Sequence, residues 1–367
     1  MPKRSPLRRI TIIGVGLIGG SLGMAVRRHL PGVVVTGVDL PSVLQAAMRR
    51  KAIHRVERNL SKALTGADLV ILATPGNLIQ SYLRKIARLI SPETLVTDVG
   101  SVKKDIDHEA KKWFPSGNFI GGHPMAGVEL SGIQSAHPLL FENAIYVLTP
   151  VKSTPRRHVQ RLASFVQSIG ARPLLMDAMR HDAVASAVSH VPQLVAVALM
   201  NLAGRDHQEA KRHLRLGAGG FRDLTRIASS SFGLWSQILP ANRKEISRSL
   251  RLLQRILASY GREIGKGRIG LLAREFRSSR TLRNRIPKDM KGFLHRLESL
   301  EVFVSDRPGN LARLTGALAK HKINIKDIEL MKVREGTGGT FRLSFETSEE
   351  RVKARRVLQK SGFETGR

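Results

Sequence analysis

The run "RITIIGVGLIGG" constrains this chain more than any other stretch. A β-branched segment ends at Gly14, Gly16 and Gly19 follow in G-x-G-x-x-G spacing, and a helical pattern opens at once. In a strand–turn–helix unit the first glycine permits the tight turn and the second lets a pyrophosphate approach the backbone. The third lets the helix pack closely on the strand. Leu17 and Ile18 complete the turn. Asp39 ends the next strand-like run, "VVVTGVD", twenty residues beyond Gly19. A carboxylate there binds the hydroxyls of an adenine ribose and repels a 2′-phosphate. Glycines that serve only a turn do not account for Asp39, so the spacing predicts a dinucleotide site that favours NAD.

The rest of the N-terminal half repeats the alternation: helical "VLQAAMRR", strand "ADLVILATP", helical "LIQSYLRKIARLI", strand "TLVTDVG", with further strands at "NAIYVLTP" and "ARPLLMD". Such alternation predicts a doubly wound parallel sheet covered on both faces. At Asp177 the texture changes, and helical patterns run to about Ile286. Val184 to Leu202 is apolar on nearly every face, which predicts a buried helix and suits a dimer interface. "NRIPKDMKG" reads as a linker, and after it strand, helix, strand, strand, helix forms a small α+β unit. A chain of 367 residues exceeds the usual size of one core. The expected fold class is therefore α/β, with a Rossmann-type domain at 1–176, an all-α substrate and dimerisation domain at 177–292, and a small ferredoxin-like α+β domain at 293–367.

Composition excludes some classes. There are no cysteines, so disulfide frameworks and thiolate zinc sites are out. No uninterrupted apolar run reaches the length needed to span a bilayer, and glycines break the apolar stretch behind the basic N-terminus, which leaves no signal peptide. A cytoplasmic protein without a membrane partner is the expectation. The net charge of +32 raises nucleic-acid binding, but it is scattered, and aromatic residues make up only 5%, too few for stacking on bases. A solvated basic surface that attracts anionic small molecules is the better reading.

The ligand crevice of a doubly wound sheet lies outside the C-terminal ends of its strands. "ATPG" and "DVGSVK" end two such strands, so Thr74, Pro75, Gly100 and Ser101 are expected along the nicotinamide side of the cleft; Ser101 reads equally as a helix N-cap. "GGHPMAG" places His123 on a stiff loop after the next strand, facing the same crevice. There it is either a base for a carbinol proton or a structural loop histidine. Further on, His181, Asp182 and His190 flank the apolar helix, and Arg222, Asp223, Arg226 and Trp235 surround a glycine-rich turn. Arg226 suits bidentate capture of a carboxylate. The two histidines and the aspartate match no zinc spacing, so no metal is expected.

Together, "IIGVGLIGGSLG", "DVGSVK", "GGHPMAGVELSGIQSA", "LFENAIYVLTP", "HDAVASAVSHVPQLVA" and "GGFRDLTRIASSSFGLW" resemble the prephenate/arogenate dehydrogenase family over roughly the first 290 residues. The tail from about Leu297, with "SDRPGNLARLTGALAKHKINI", resembles an ACT regulatory domain. The resemblance implies NAD-dependent oxidative decarboxylation of prephenate to 4-hydroxyphenylpyruvate in tyrosine biosynthesis, with arogenate as the alternative substrate; a non-catalytic sensor of nucleotide or amino acid is a different class. It implies that His123 accepts a hydrogen bond from the ring hydroxyl and that Ser101 orients His123 and touches substrate. It also implies that Arg226 binds a substrate carboxylate and that His190, Gln193, Arg222 and Trp235 lie around the substrate. Some members carry histidine where this chain has Gln193, and lysine where it has Arg222, which leaves the choice of substrate open. A homodimer through the helical region, and a tyrosine effector at Asp306, Gly309, Asn310 and Leu311, are likewise implied.

Overall fold

The computed structural model describes residues 7–127, 130–205, 214–285, 297–334 and 337–366, the side chains of 332–334 excepted. The chain forms two compact units, Met1–Leu272 and Ala273–Arg367. The linker expected around Pro287 and Gly292 lies outside the described residues.

The first unit is built on an eight-stranded sheet. Its strands are β1 (Arg9–Ile13), β2 (Val34–Val38), β3 (Arg55–Val56), β4 (Leu69–Leu72), β5 (Leu95–Asp98), β6 (Phe119–Pro124), β7 (Ile145–Thr149) and β8 (Arg172–Leu175), in the order β3-β2-β1-β4-β5-β6-β7-β8. The strands pair in parallel except at β6–β7, which is antiparallel. The central strands are buried on both faces, as their unbroken apolar sequence requires. Ile10, Ile12, Leu69 and Ile71 face one core with α1 (Leu17–His29), α2 (Pro41–Arg49) and α6 (Arg156–Ser168). Ile13, Val70, Leu72 and Val96 face the other with α4 (Gly76–Ala87) and α5 (Lys104–Trp113). A short α3 (Leu60–Leu64) leads into β4.

Two sequence expectations are corrected here. His123 is not on a loop after its strand: it is the fifth residue of β6 and pairs with Val147 of β7. The glycines before it are there for packing. A Cβ on Gly121 would lie 2.3 Å from Thr149 Oγ1, and one on Gly122 would lie 2.5 Å from the Asp98 carbonyl oxygen. Nor is Ser101 a helix cap. The N-cap of α5 is Lys103, and Asp182 caps the helix from afar, accepting Lys103 N–H at 2.8 Å and Lys104 N–H at 2.9 Å.

Beyond the sheet, α7 (Ala178–Ala185), a π-helical turn (Ser186–His190) and α8 (Val191–Ala203) form one long helical run. It is followed by α9 (Gly219–Thr225), α10 (Phe232–Ala241) and α11 (Arg243–Gly265). The expectation of a buried apolar helix does not hold within the chain, because Val184, Val188 and Leu202 are exposed. By length and composition the run Ala178–Ala203 is apolar enough to cross a membrane, and only 33% of its most apolar window is buried. The pattern thus marks an apolar face that the described residues leave partly uncovered.

In the second unit α12 (Leu272–Arg285) precedes a four-stranded antiparallel sheet of β9 (Glu298–Ser305), β10 (Asp327–Arg334), β11 (Gly338–Phe345) and β12 (Glu364–Thr365), ordered β10-β11-β9-β12. Leu314 and Leu318 of α13 (Asn310–Lys320) and Leu358 of α14 (Ser348–Lys360) close its core over Leu300, Val302 and Leu343. Gly309, with φ +86°, caps α13 in the left-handed region that glycine alone enters freely. Asn310 is buried and donates to the Ser305 carbonyl at 3.1 Å, whereas Asp306 and Leu311 are exposed.

Candidate active site

The site forms where β5 and β6 end and α7 begins. His123 Nδ1 lies 2.8 Å from His181 Nε2, and His181 Nδ1 lies 2.8 Å from Asp182 Oδ1. Each oxygen of the Asp182 carboxylate also accepts one of the two backbone N–H groups that begin α5. A carboxylate held in this way is the acceptor for His181 Nδ1–H, so His181 Nε2 is bare and accepts from His123 Nδ1–H. The tautomer follows from the chain of bonds: His123 Nε2 carries the free lone pair. Burial, and after it the charges of His181, Lys103 and His190, hold His123 well below the ordinary histidine range. It is therefore neutral at pH 7, with the Nε2 lone pair unprotonated.

Behind β6 sits a wholly buried ion pair. Lys103 Nζ bonds the Asp98 carboxylate and, at 2.6 Å, the Gly122 carbonyl next to His123. Asp98 also accepts Gly122 N–H at 3.1 Å and Gly100 N–H at 2.8 Å. The pair fastens the ends of β5 and β6 to each other. Asp107 shares this pocket and accepts from Thr149 Oγ1 at 3.2 Å. Burial pushes its carboxyl up to about 7, against the pull of Lys103.

His190 is buried on the same helical run. Its Nδ1 accepts from Asn242 Nδ2 at 3.2 Å, and its ring meets Trp235 edge-on at 6.0 Å between centroids. Asn242 donates as well to the Asp182 carbonyl at 2.8 Å. Burial lowers His190 to about 4, with Asp182 opposing the shift. Gln193 is buried and donates to the Ile227 carbonyl at 2.9 Å, which ties α8 to the turn that begins at Arg226. Arg226 is exposed; Arg222, also exposed, uses Nε on the Gly217 carbonyl at 3.1 Å. Among the described residues no hydrogen bond joins Ser101 to His123; His181 holds Nδ1 instead. Three partners escape sequence reading in these roles: the His181–Asp182 relay, the Asp98–Lys103 pair and Asn242. Their residue types were visible, but their partners lie far along the chain.

These shifts carry a pH signature. His123 and His190 have lowered folded pKa values, so the unfolded chain binds more protons and stability is lost as pH falls below 6.5. Asp107 acts oppositely: its folded value is raised from 3.8 to about 7, so the stability it favours at low pH is lost as pH rises across that interval. Asp107→Asn, which has no charge to desolvate, is expected to raise the thermal midpoint more at pH 8 than at pH 5. An equal effect at both pH values would show that the Asp107 carboxyl is not titrating in this window.

The residues around the first turn fit a dinucleotide. Gly14 has φ +91°, and a Cβ there would lie 2.5 Å from the Ala73 carbonyl oxygen; one on Gly19 would lie 1.9 Å from the Gly14 carbonyl oxygen. Gly16 by contrast faces open space, leaving room for phosphate at the N-terminus of α1, beside Leu17 and Ile18. Asp39 Oδ2 accepts Val15 N–H at 2.6 Å and Oδ1 accepts Leu40 N–H at 2.7 Å, so the carboxylate also braces the turn. Thr74 Oγ1, just past the end of β4, is buried and has no hydrogen-bond partner among the described residues, an orphaned polar group that a bound cofactor would satisfy. Gly76 N–H bonds Gln237 Oε1 at 2.8 Å, which fixes α10 to the start of α4.

Comparison with known proteins agrees with this geometry. Residues 22–175 match the prephenate dehydrogenase nucleotide-binding domain, 177–278 the prephenate dehydrogenase dimerization domain and 299–356 the ACT domain. The chain is 34% identical to a prephenate dehydrogenase of Bacillus subtilis over 97% of each chain. Among solved structures, it is similar to Synechocystis arogenate dehydrogenase, with 32% identity and a TM-score of 0.67 over 76% of this chain and 99% of that one. It is also similar to an Aquifex aeolicus prephenate dehydrogenase in complex with hydroxyphenyl propionate and NAD+, with 27% identity and a TM-score of 0.71 over 77% of this chain and all of the other. With a dinucleotide turn and a buried histidine relay in the same unit, and relatives that match it along its length, this protein belongs to the prephenate dehydrogenase family.

Proposed function

We propose that this chain is an NAD-dependent prephenate dehydrogenase, converting prephenate to 4-hydroxyphenylpyruvate and carbon dioxide. The observation that carries the reading is the His123–His181–Asp182 chain of bonds, which presents His123 Nε2 as a bare acceptor. NAD, held at the turn of residues 14–19 and at Asp39, would supply the acceptor for the hydride of the ring carbinol carbon. The protein's part is the proton and the charge. His123 Nε2 takes the hydroxyl proton as the carbinol becomes a ketone, and the imidazolium is stabilised through His181 by Asp182. Loss of the ring carboxylate as carbon dioxide then aromatises the ring: the electron pair of the broken carbon–carbon bond moves through the ring to the ketone oxygen, which takes the proton back from His123 and leaves as the phenol. Arg226 binds a substrate carboxylate, Ser101 borders the reacting centre, and Arg222, His190, Gln193 and Trp235 line the substrate side.

The same reading assigns 1–176 to cofactor binding, 177–292 to substrate binding and pairing of two chains, and 293–367 to regulation. The exposed apolar face of the 178–203 helical run supports pairing rather than membrane insertion, because the run carries His181, Asp182 and His190 into the site. A cytoplasmic location belongs to this reading. For the tail, the ACT match supports feedback by tyrosine near Asp306, Gly309, Asn310 and Leu311. Deleting the residues after Lys291 is expected to abolish tyrosine inhibition while turnover persists; unchanged inhibition would refute the assignment.

A reduced-cofactor absorbance assay crossing prephenate and arogenate with NAD and NADP tests the activity. Prephenate with NAD is expected to give the highest kcat/KM. Preference for arogenate would replace the substrate assignment, and no NADH formation with either acid would overturn the enzyme reading.

A further inference from the structure

The ends of α1 and α2 farthest from the cofactor turn border an open surface cavity of about 440 Å³ lined by Met24, Arg27, Arg28, Arg50, Lys51 and Pro138. Four of the six lining residues are cationic and none is acidic. Arg27 and Arg28 lie in the last turn of α1, eleven and twelve residues past Gly16. At 1.5 Å per residue that is about 17 Å from the pyrophosphate turn, so the cavity is separate from the cofactor site.

Two of the guanidinium groups are tethered. Arg27 Nη1 donates to the Ile53 carbonyl at 3.0 Å, and Arg50 Nη2 donates to the Ala136 carbonyl at 2.8 Å. Each tether leaves the other N–H groups of that fork available at a restricted position. Arg28 and Lys51 are exposed beside them. One or two cations suffice to offset the negative ends of two helices; four around one open cavity exceed that need and favour a multiply charged anion there.

We infer that this cavity binds a small anion carrying at least two phosphoryl groups, either free pyrophosphate or the phosphates of a nucleotide. Ala136 and Pro138 belong to the connection between β6 and β7, so the anion lies against the loop that continues from the His123 strand.

Calorimetric titration of the full-length protein, with NAD saturating so that the cofactor turn is filled, tests this with inorganic pyrophosphate and with ATP as probes. Saturable binding of one probe per chain is expected. Arg28→Gln combined with Lys51→Asn should weaken it at least tenfold, the loss of two charge-assisted contacts. Arg277→Gln combined with Arg280→Gln, on exposed α12, should leave it unchanged. Binding of pyrophosphate alone identifies the free anion, and binding of both probes identifies the shared diphosphate group. Absence of saturable binding, or equal weakening in both double variants, overturns the proposal in favour of diffuse attraction by a basic surface. Retained NAD binding verifies the fold of each variant, and if the Arg28/Lys51 double variant loses it, a loss of pyrophosphate affinity in Arg28→Gln alone decides the question.

Discussion

His123→Asn is expected to lower kcat for prephenate by roughly 100-fold or more while NAD binding stays at the wild-type level, the range for losing a general base. Asparagine keeps the approximate size of the ring stub and can still reach toward His181, so β6 stays paired with β7. What it lacks is a nitrogen lone pair that can take a proton. The mutation therefore separates chemistry from architecture. Because burial and neighbouring charge hold His123 well below its ordinary value, wild-type kcat should remain flat as pH falls through 6.5. An acid limb centred near 6.5 would mean that the ring is more solvated than this structure has it. Wild-type turnover in His123→Asn, measured by NADH formation, would remove His123 from the mechanism.

Lys103→Met is expected to be the most damaging single change to the fold of the first unit. It leaves the Asp98 carboxylate, wholly buried, without its countercharge, and removing one partner of such a pair costs about 3–5 kcal/mol. Methionine fills most of the space, so the loss is electrostatic rather than a cavity. The neutral pair Asp98→Asn with Lys103→Met should recover most of that stability, since neither residue is then charged in the interior. Urea denaturation of the three proteins reads the cycle. A Lys103→Met midpoint equal to wild type would show that the pair is hydrated and contributes little. The double variant also lacks the Lys103 charge near His123, so its recovery of fold without full recovery of kcat would assign Lys103 a positioning role at the site.

The glycine turn, Asp39, the alternation of strands and helices in the N-terminal half and the change to helices at Asp177 were all legible as local patterns. Period, turn chemistry and a twenty-residue spacing report what a segment does with its own neighbours. His123 was legible as a candidate, but its setting was misread. Proline and two glycines suggested a loop, whereas Gly121 and Gly122 are small because Thr149, Asp107 and Asp98 press against that strand. The apolar run in α7 and α8 was read as a buried helix suited to a dimer interface, and among the described residues part of it is exposed. Hydrophobicity shows that a surface requires cover, without specifying whether the cover comes from the same chain.

By itself, then, the amino-acid order determined a dinucleotide-binding α/β half, a helical middle and a small α+β tail, because each follows from short-range backbone preference and from alternation of apolar residues. Only the tertiary structure decided which nitrogen of His123 is the base. That depends on His181, 58 residues away, and on Asp182, which caps α5 from 79 residues beyond Lys103. Hydrogen-bond direction and burial are properties of groups brought together by folding, and no spacing along the chain encodes them.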